Sequence, residues 1–353
     1  MPRLRTVSPA DLGWSRRRAG RGFVYLDTGG ERLGDADRDR CHRLVIPPAW
    51  REVWICPHPY GHIQAVGTDA AGRRQYLYHE QWRRKRDQAK HDRVLEVAAE
   101  LPRARVAVAE HLALPGLPRE RALATAFRLL DVGFFRVGGE SYTEQHGSYG
   151  LATIRKEHVR VGREAVVFEF VAKSGKQQHV EIKDPDVRAV LTRLRRRRGG
   201  GEELLAYRAG GRWVDVSSDD VNAYVKALIG GEVSAKDFRT WHGTVLAAVA
   251  LAERSDLADT KTARKRAIAA SMCEVASWLG NTPTVARASY VDPRVIDLFE
   301  DGVTIDGTLR RLGGEADRND LETRAEIERA VLRLLRTSPE SLGRTRRTRS
   351  LQD

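Results

Sequence analysis

Breaking a phosphodiester without a metal needs three things: a nucleophile, cations or donors on the non-bridging oxygens, and an acid for the departing alkoxide. Four side chains have suitable types. Arg136 closes the run LLDVGFFRVGGE, where a helix carrying Leu123, Phe127 and Leu130 meets a glycine-containing segment. Lys173 lies at the tip of an expected β-hairpin. Arg239 lies in SAKDFRTWHGT, a helix with Phe238, Trp241 and Val245 toward the core and Lys236, Arg239 and His242 on the neighbouring face. Tyr290 ends SWLGNTPTVARASY, in the last turns of a helix. The planar fork of arginine grips two phosphate oxygens, the pKa of lysine moves readily, and cations can lower a tyrosine from its ordinary value of about 10. Each residue also has an ordinary reading. An arginine on a helix is most often a solvated charge, and a tyrosine after an amphipathic stretch is usually a packing residue.

These side chains need a scaffold, and the hydrophobic periods divide it in two. From about Phe23 to Glu80 the chain reads as short strands: FVYLD, the turn TGGE, HRLVIPPAW, REVWIC, HIQAVGTD and QYLYHE. Beyond Trp82 a helical period takes over. Val187, Val190, Leu191 and Leu194 follow a cap at Asp184 with Pro185 behind it, and Val221, Tyr224, Val225 and Leu228 follow Ser218. Gly280 ends one helix, and Asn281 caps the next, with Pro283 early in it. Residues 157–182 alternate as strands, with Val166, Phe168 and Phe170 on one face and Ser174-Gly175 as the turn. Arg195 to Arg198, followed by three glycines, reads as a solvated helix end entering a loop. Ile327, Val331, Leu334 and Leu335 mark a last helix before a basic, disordered tail. The expected class is α+β: a small β-rich domain over 1–88, a larger, mainly helical domain containing a β-hairpin over 89–310, and a C-terminal helix and tail over 311–353.

The chain has 353 residues, and 61 Lys and Arg against 48 Asp and Glu give a formal charge of +13. That excess points to a polyanionic partner. Cys41, Cys56 and Cys273 are too scattered for a disulfide framework, which implies a reducing compartment. Neither a signal-peptide core nor a membrane-length apolar run occurs, so a cytoplasmic protein without membrane attachment is expected. A Walker loop fails because Phe170 stands where the G-x-x-x-x-G-K spacing ahead of Gly175 and Lys176 needs glycine. GRGFVY lacks the third glycine of a dinucleotide fingerprint, and GDADRD at 34–39 reads as a solvated turn, not a cation site. No metal and no cofactor are expected. Residue types and spacing reach only DNA binding, with phosphoryl transfer as one reading.

Several motifs in order carry more weight than any one of them. RVGGESY, the hairpin FVAK, KDFRT and LGNTPTVARASY together resemble the type IB DNA topoisomerases, specifically the compact poxvirus-type enzymes found also in bacteria. GTDAAGRRQYLY at 67–78 resembles a DNA-contacting strand of the same family, and the likeness runs from about Arg43 to Tyr290, with Asp301 as its outer limit. The resemblance implies the catalytic core shared by tyrosine recombinases and type IB topoisomerases. It makes Tyr290 the nucleophile that forms a 3′-phosphotyrosyl link, Arg136 and Arg239 the stabilisers of the transition state, and Lys173 the acid for the 5′ oxygen. Supercoils of either sign then relax by strand rotation and religation without ATP. Where many members carry histidine this chain has Asn281, which can still donate a hydrogen bond but cannot carry charge. Arg73, Arg74, Gln75, Tyr76 and Tyr78 join cations for phosphates to aromatics and an amide for base edges, DNA contact by at least one tyrosine being favoured over the ordinary reading of one as a core residue. By family position Tyr142 and Lys236 are further DNA contacts. The implied partner is double-stranded DNA, held by a nucleoid-associated monomer acting as a clamp. A tyrosine recombinase is the nearest alternative, but recombinases usually place histidine where Lys236 stands; a non-catalytic architectural protein is the other.

Overall fold

The computed structural model describes residues 3–139, 143, 147–313 and 320–337; Tyr142 and the basic tail lie outside them. The chain divides into two compact units, Met1–Lys90 and His91–Asp353.

The first unit is an antiparallel sheet of five strands in the order β2-β1-β3-β4-β5: β1 Trp14–Ala19, β2 Gly22–Leu26, β3 Arg51–Ile55, β4 Ile63–Thr68 and β5 Arg74–Tyr78. Helix α1, Asp35–Arg43, sends Cys41 into a core shared with Trp14, Tyr25, Ile46, Val53, Ile55 and Ala65. Three expectations need correction here. Strand β1 was hidden by its run of arginines; Arg16 is accommodated because its guanidinium donates to the carbonyls of Ile46, Pro47 and Trp50 and lies over the Phe23 ring. The run GDADRD begins a helix, with Asp35 and Asp37 at its positive end and Arg40, His42 and Arg43 at its negative end. HRLVIPPAW is no strand, because its start completes α1 and Pro47 and Pro48 lack the N–H groups a ladder requires.

Helix α2, Glu80–Leu112, spans the division between the units. The second unit continues with α3 Arg119–Gly133, the strands β6 Val159–Val161, β7 Val166–Ala172 and β8 Lys176–Ile182, and α4 Pro185–Arg195. The strands form one sheet in the order β6-β7-β8, so the expected hairpin carries a third strand, with Val166, Phe168, Phe170 and Ala172 buried along β7. Asp184 caps α4 by accepting from the Val187 N–H, as the sequence implies. Arg197, read as solvated, is instead buried. Its guanidinium donates to the carbonyls of Leu194, Gly201, Glu203 and Leu204, which the glycine turn and the hairpin of β9 Ala206–Ala209 and β10 Arg212–Asp215 bring around it.

The remaining helices are α5 Ser218–Ile229, α6 Ala235–Ala252, α7 Lys261–Leu279, α8 Pro283–Ser289, α9 Pro293–Glu300, α10 Asp306–Leu312 and α11 Leu321–Arg336. The cap of α5 is Ser217, one residue before the expected Ser218, because Ser217 and Asp220 form a reciprocal capping box. Helix α6 is central, touching α3, α5, α7, α9, α10 and α11, and buries nearly every side chain from Phe238 to Ala252. Ser234 and Asp237 form the box that starts it, and Arg93 of α2 bonds Asp237 at 2.9 Å. Among the described residues no helix is long and apolar enough to cross a membrane.

His242 of α6 is almost fully enclosed. Burial first, then the charges of Arg324, Arg105 and Arg239, push its imidazole down to about 3 against the opposing pull of Asp131. The unfolded chain takes up this proton near pH 6.5, so between that pH and 3 the unfolded state holds more protons and stability falls with acidity. One such proton contributes a slope of at most about 1.4 kcal/mol per pH unit. Urea denaturation from pH 7 to 4 should therefore show a shallower acid decline for His242→Gln than for wild type; parallel curves would mean the histidine is not held neutral.

Candidate active site

The site is assembled where two helices end. Helix α3 stops at Phe134 in a left-handed conformation (φ 55°), and α7 stops at Gly280 (φ 60°), leaving main-chain carbonyls unused by either helix. Arg239 occupies the space between them. It is 4% exposed and donates to Phe134 O and, at 2.6 Å, to Leu279 O. Its guanidinium carbon lies 5.2 Å from the centroid of the Tyr290 ring. Burial, then repulsion from Arg136, lowers the Arg239 guanidinium to about 10, which leaves it charged at neutral pH.

Tyr290 directly follows α8 and is half-buried. Burial pushes its phenol up, but the charge and hydrogen bond of Arg239, followed by Arg136 and Lys236, outweigh it and leave the net value below that of an ordinary tyrosine. That is the direction an activated oxygen nucleophile requires. Lys236 is exposed at the start of α6, whereas Arg239 and His242 are buried. The single polar face expected for these three is thus divided: His242 turns inward, its Nε2 3.5 Å from Asp131.

Arg136 donates to Asn281 Oδ1 at 2.7 Å and lies 3.4 Å from the Gly280 carbonyl. The cap of α8 is Thr282, whose side chain accepts from the Val285 N–H, so the capping role expected for Asn281 does not hold. Because Oδ1 is taken by Arg136, the amide NH₂ of Asn281 is the group left to act, and Nδ2 is buried without a protein partner. Arg239 Nε is in the same condition. Buried donors left unpaired are costly, so both nitrogens have hydrogen-bonding capacity that the protein itself does not use.

Lys173 is exposed on the turn between β7 and β8, where Ser174 (φ 66°) and Gly175 (φ 71°) reverse the chain. The same sheet reaches the site lower down, since a Cβ on Gly280 would come within 2.7 Å of the Gln178 amide. Tyr290, Arg239, Arg136, Asn281 and Lys236 are thus gathered by short contacts or charge, and Lys173 is carried on an adjoining strand turn.

In the first unit, Arg74, Tyr76 and Tyr78 share the exposed face of β5, and the two rings stack with centroids 5.9 Å apart and planes at 12°. Neither tyrosine belongs to the core. Gln75 points the other way and donates to Asp69 at 3.0 Å, as does Arg73 Nε.

Asp131, His242 and Glu328 present ligand atoms within 4.8 Å of one another. Both carboxylates are already bonded by Arg105, so a metal ion would have to displace a guanidinium.

A family model described as the eukaryotic DNA topoisomerase I catalytic core matches residues 79–301, and one described as the bacterial DNA topoisomerase IB N-terminal domain matches 22–69. The chain belongs to the type IB DNA topoisomerase family. It is 28% identical over 299 residues to DNA topoisomerase 1B of Acanthamoeba polyphaga mimivirus, covering 82% of this chain and 88% of the viral one. It is 23% identical over 238 residues to DNA topoisomerase 1B of vaccinia virus (strain Copenhagen), covering 67% and 72%. DNA topoisomerase 1 of Schizosaccharomyces pombe is 31% identical over 127 residues, which is 35% of this chain and 15% of the yeast protein.

Within this topoisomerase fold, the seat of Tyr290 is a feature that reading the motifs did not reveal. Thr244 Oγ1 accepts from the Asp292 N–H at 3.0 Å and donates to Thr240 O at 2.8 Å, fixing the strap after Tyr290 to α6. Beside it, a Cβ on Gly243 would meet the Tyr290 carbonyl oxygen at 2.7 Å. A glycine inside an apolar helix was the available signal, since it lowers helix stability by about 1 kcal/mol relative to alanine unless close approach requires it. Gly243→Ala should leave the fold intact yet displace Tyr290 and slow single-turnover strand cleavage by roughly 10- to 100-fold. Cleavage at the wild-type rate would show that the strap yields freely.

Proposed function

We propose that this topoisomerase cuts one strand of duplex DNA by attack of Tyr290 on a backbone phosphate, forming a 3′-phosphotyrosyl link and releasing a 5′-hydroxyl. The observation that carries this reading is the Tyr290 phenol against buried Arg239, with the unpaired donors Arg239 Nε and Asn281 Nδ2 beside it. Arg136 and Arg239 neutralise charge that builds on the non-bridging oxygens, and Asn281 adds a neutral donor in place of an imidazolium. Lys173 delivers a proton to the 5′ oxygen from its strand turn. The bond energy stays in the tyrosyl ester, so the cut strand rotates and is resealed without ATP, relaxing positive and negative supercoils alike.

The stacked pair Tyr76 and Tyr78, with Arg74, offers aromatic surface and charge to a groove, and Arg73, Gln75 and Lys236 add polar contacts. The protein acts as a monomer whose two units clamp the duplex. Its basic excess supplies salt-sensitive attraction to phosphates, and its place is the cytoplasm, at the nucleoid.

Two measurements test the assignment. Wild type should relax a supercoiled plasmid in EDTA without ATP, and Tyr290→Phe should not; relaxation by the variant would remove Tyr290 as nucleophile. Lys173→Ala should slow cleavage of a normal phosphodiester far more than of a 5′-bridging phosphorothiolate, whose thiolate leaves without an acid. Equal slowing on the two substrates would strip Lys173 of the proton-donor role.

A further inference from the structure

Helix α11 lies beyond the stretch matched by the catalytic-core family, yet it sends two charged side chains inward. Glu328 accepts two hydrogen bonds from Arg105 of α2, at 2.7 and 2.9 Å. The same guanidinium donates two more to Asp131 of α3, at 2.8 and 2.7 Å. Arg324, one turn before Glu328, donates to the main-chain carbonyl of Asp131 at 2.8 Å. The Asp131 side chain is fully buried, and those of Glu328, Arg105 and Arg324 are 8%, 11% and 13% exposed. Two cations face two anions, so the cluster is neutral only when complete.

Its position gives it a consequence for the chemistry. Asp131 stands three residues before Phe134, whose carbonyl accepts from Arg239. His242, one turn after Arg239 on α6, has its Nε2 3.5 Å from Asp131 and its ring centroid 5.0 Å from that of Phe134. The end of α3 is therefore bonded by the ion cluster at Asp131 and by Arg239 at Phe134. We infer that Glu328 is a positioning residue for strand cleavage: by sharing Arg105 with Asp131 it holds the end of α3, and so the Phe134 carbonyl that sets Arg239 against Tyr290. Without its charge, two buried guanidinium groups compete for Asp131 alone, and the segment carrying Phe134 is pulled toward a new balance. This inference rests on the assignment of Tyr290 and Arg239 to cleavage.

The test compares Glu328→Gln, Glu328→Asp and Leu335→Ala in the full chain. Leu335 is buried on the same helix and is not one of the cluster's charged groups, so its variant loosens α11 while leaving that cluster intact. Melting temperature, non-covalent DNA affinity and the single-turnover cleavage rate are measured well below the lowest melting point. Glu328→Gln should cleave at least about tenfold more slowly with DNA affinity within about twofold of wild type, Glu328→Asp should show a smaller loss of the same kind, and Leu335→Ala should cleave normally despite its lower melting temperature. Normal cleavage by folded Glu328→Gln overturns the inference, as does an equal slowing in Leu335→Ala. Should Glu328→Gln fail to fold, the aspartate variant decides: slowed cleavage with retained affinity supports the role, and a normal rate refutes it. A wild type that does not cleave would instead sink the proposed function.

Discussion

A guanidinium buried in a protein interior must be surrounded by acceptors, and Arg239 imposes that condition on everything around it. Its ligands are the main-chain oxygens of Phe134 and Leu279, supplied by the ends of α3 and α7. Both helices stop in left-handed turns, which frees carbonyls at the negative ends of two helix dipoles. The cation is thereby stabilised by dipoles in place of a carboxylate. This difference matters for the chemistry. A carboxylate partner would offset the charge, whereas neutral carbonyls hold the guanidinium in place and leave its field available to the Tyr290 phenol, which it lowers.

The same unit treats its other buried charges in the opposite way. Arg105 is matched to Asp131 and Glu328, and the partners perturb one another strongly. Burial alone would raise Asp131, but Arg105 and then Arg324 hold its carboxyl far below the usual range, while two carboxylates hold the Arg105 guanidinium charged against its own burial. Arg197 takes yet another form, wrapped by the carbonyls of a glycine-rich turn and stacked near Trp213. One residue type thus serves as a cation held between two helix ends, a structural counter-ion and a loop organiser. Arg105 differs from the other two in having carboxylates as its acceptors, whereas Arg239 is held by carbonyls and Arg197 by carbonyls with Asp215 at 3.4 Å. The large basic excess adds a fourth population on the surface, which acts by number more than by position.

Much of this architecture is legible in the residues. Alternating runs reveal β3, β4, β5 and the inward face of β7, and the Asp184-Pro185 pair marks the start of α4 because capping and proline geometry are local properties. Where local signals compete, the structure chooses by tertiary context. Ser217 displaces Ser218 as a cap because it is the one that pairs reciprocally with Asp220. Thr282 displaces Asn281 because the asparagine oxygen is claimed by Arg136, a residue far away in the chain. Strand β1 escapes notice because three consecutive arginines erase the apolar alternation, and the carbonyls of a distant turn make the first of them, Arg16, tolerable.

The chain by itself determined the classes of element, the two-part layout of strands followed by helices, and the inventory of a tyrosine with nearby cations in a recognisable order. Those are matters of period, turn chemistry and residue type, which act over a few positions. Only the tertiary structure decided which arginines lose their water. That depends on oxygens delivered from Phe134 and Leu279 to Arg239, or from Asp131 and Glu328 to Arg105, across separations of 40 residues or more in the first case and up to 223 in the second. No local pattern encodes such a meeting, because the free energy of a buried charge is set by whatever the fold brings within hydrogen-bond reach.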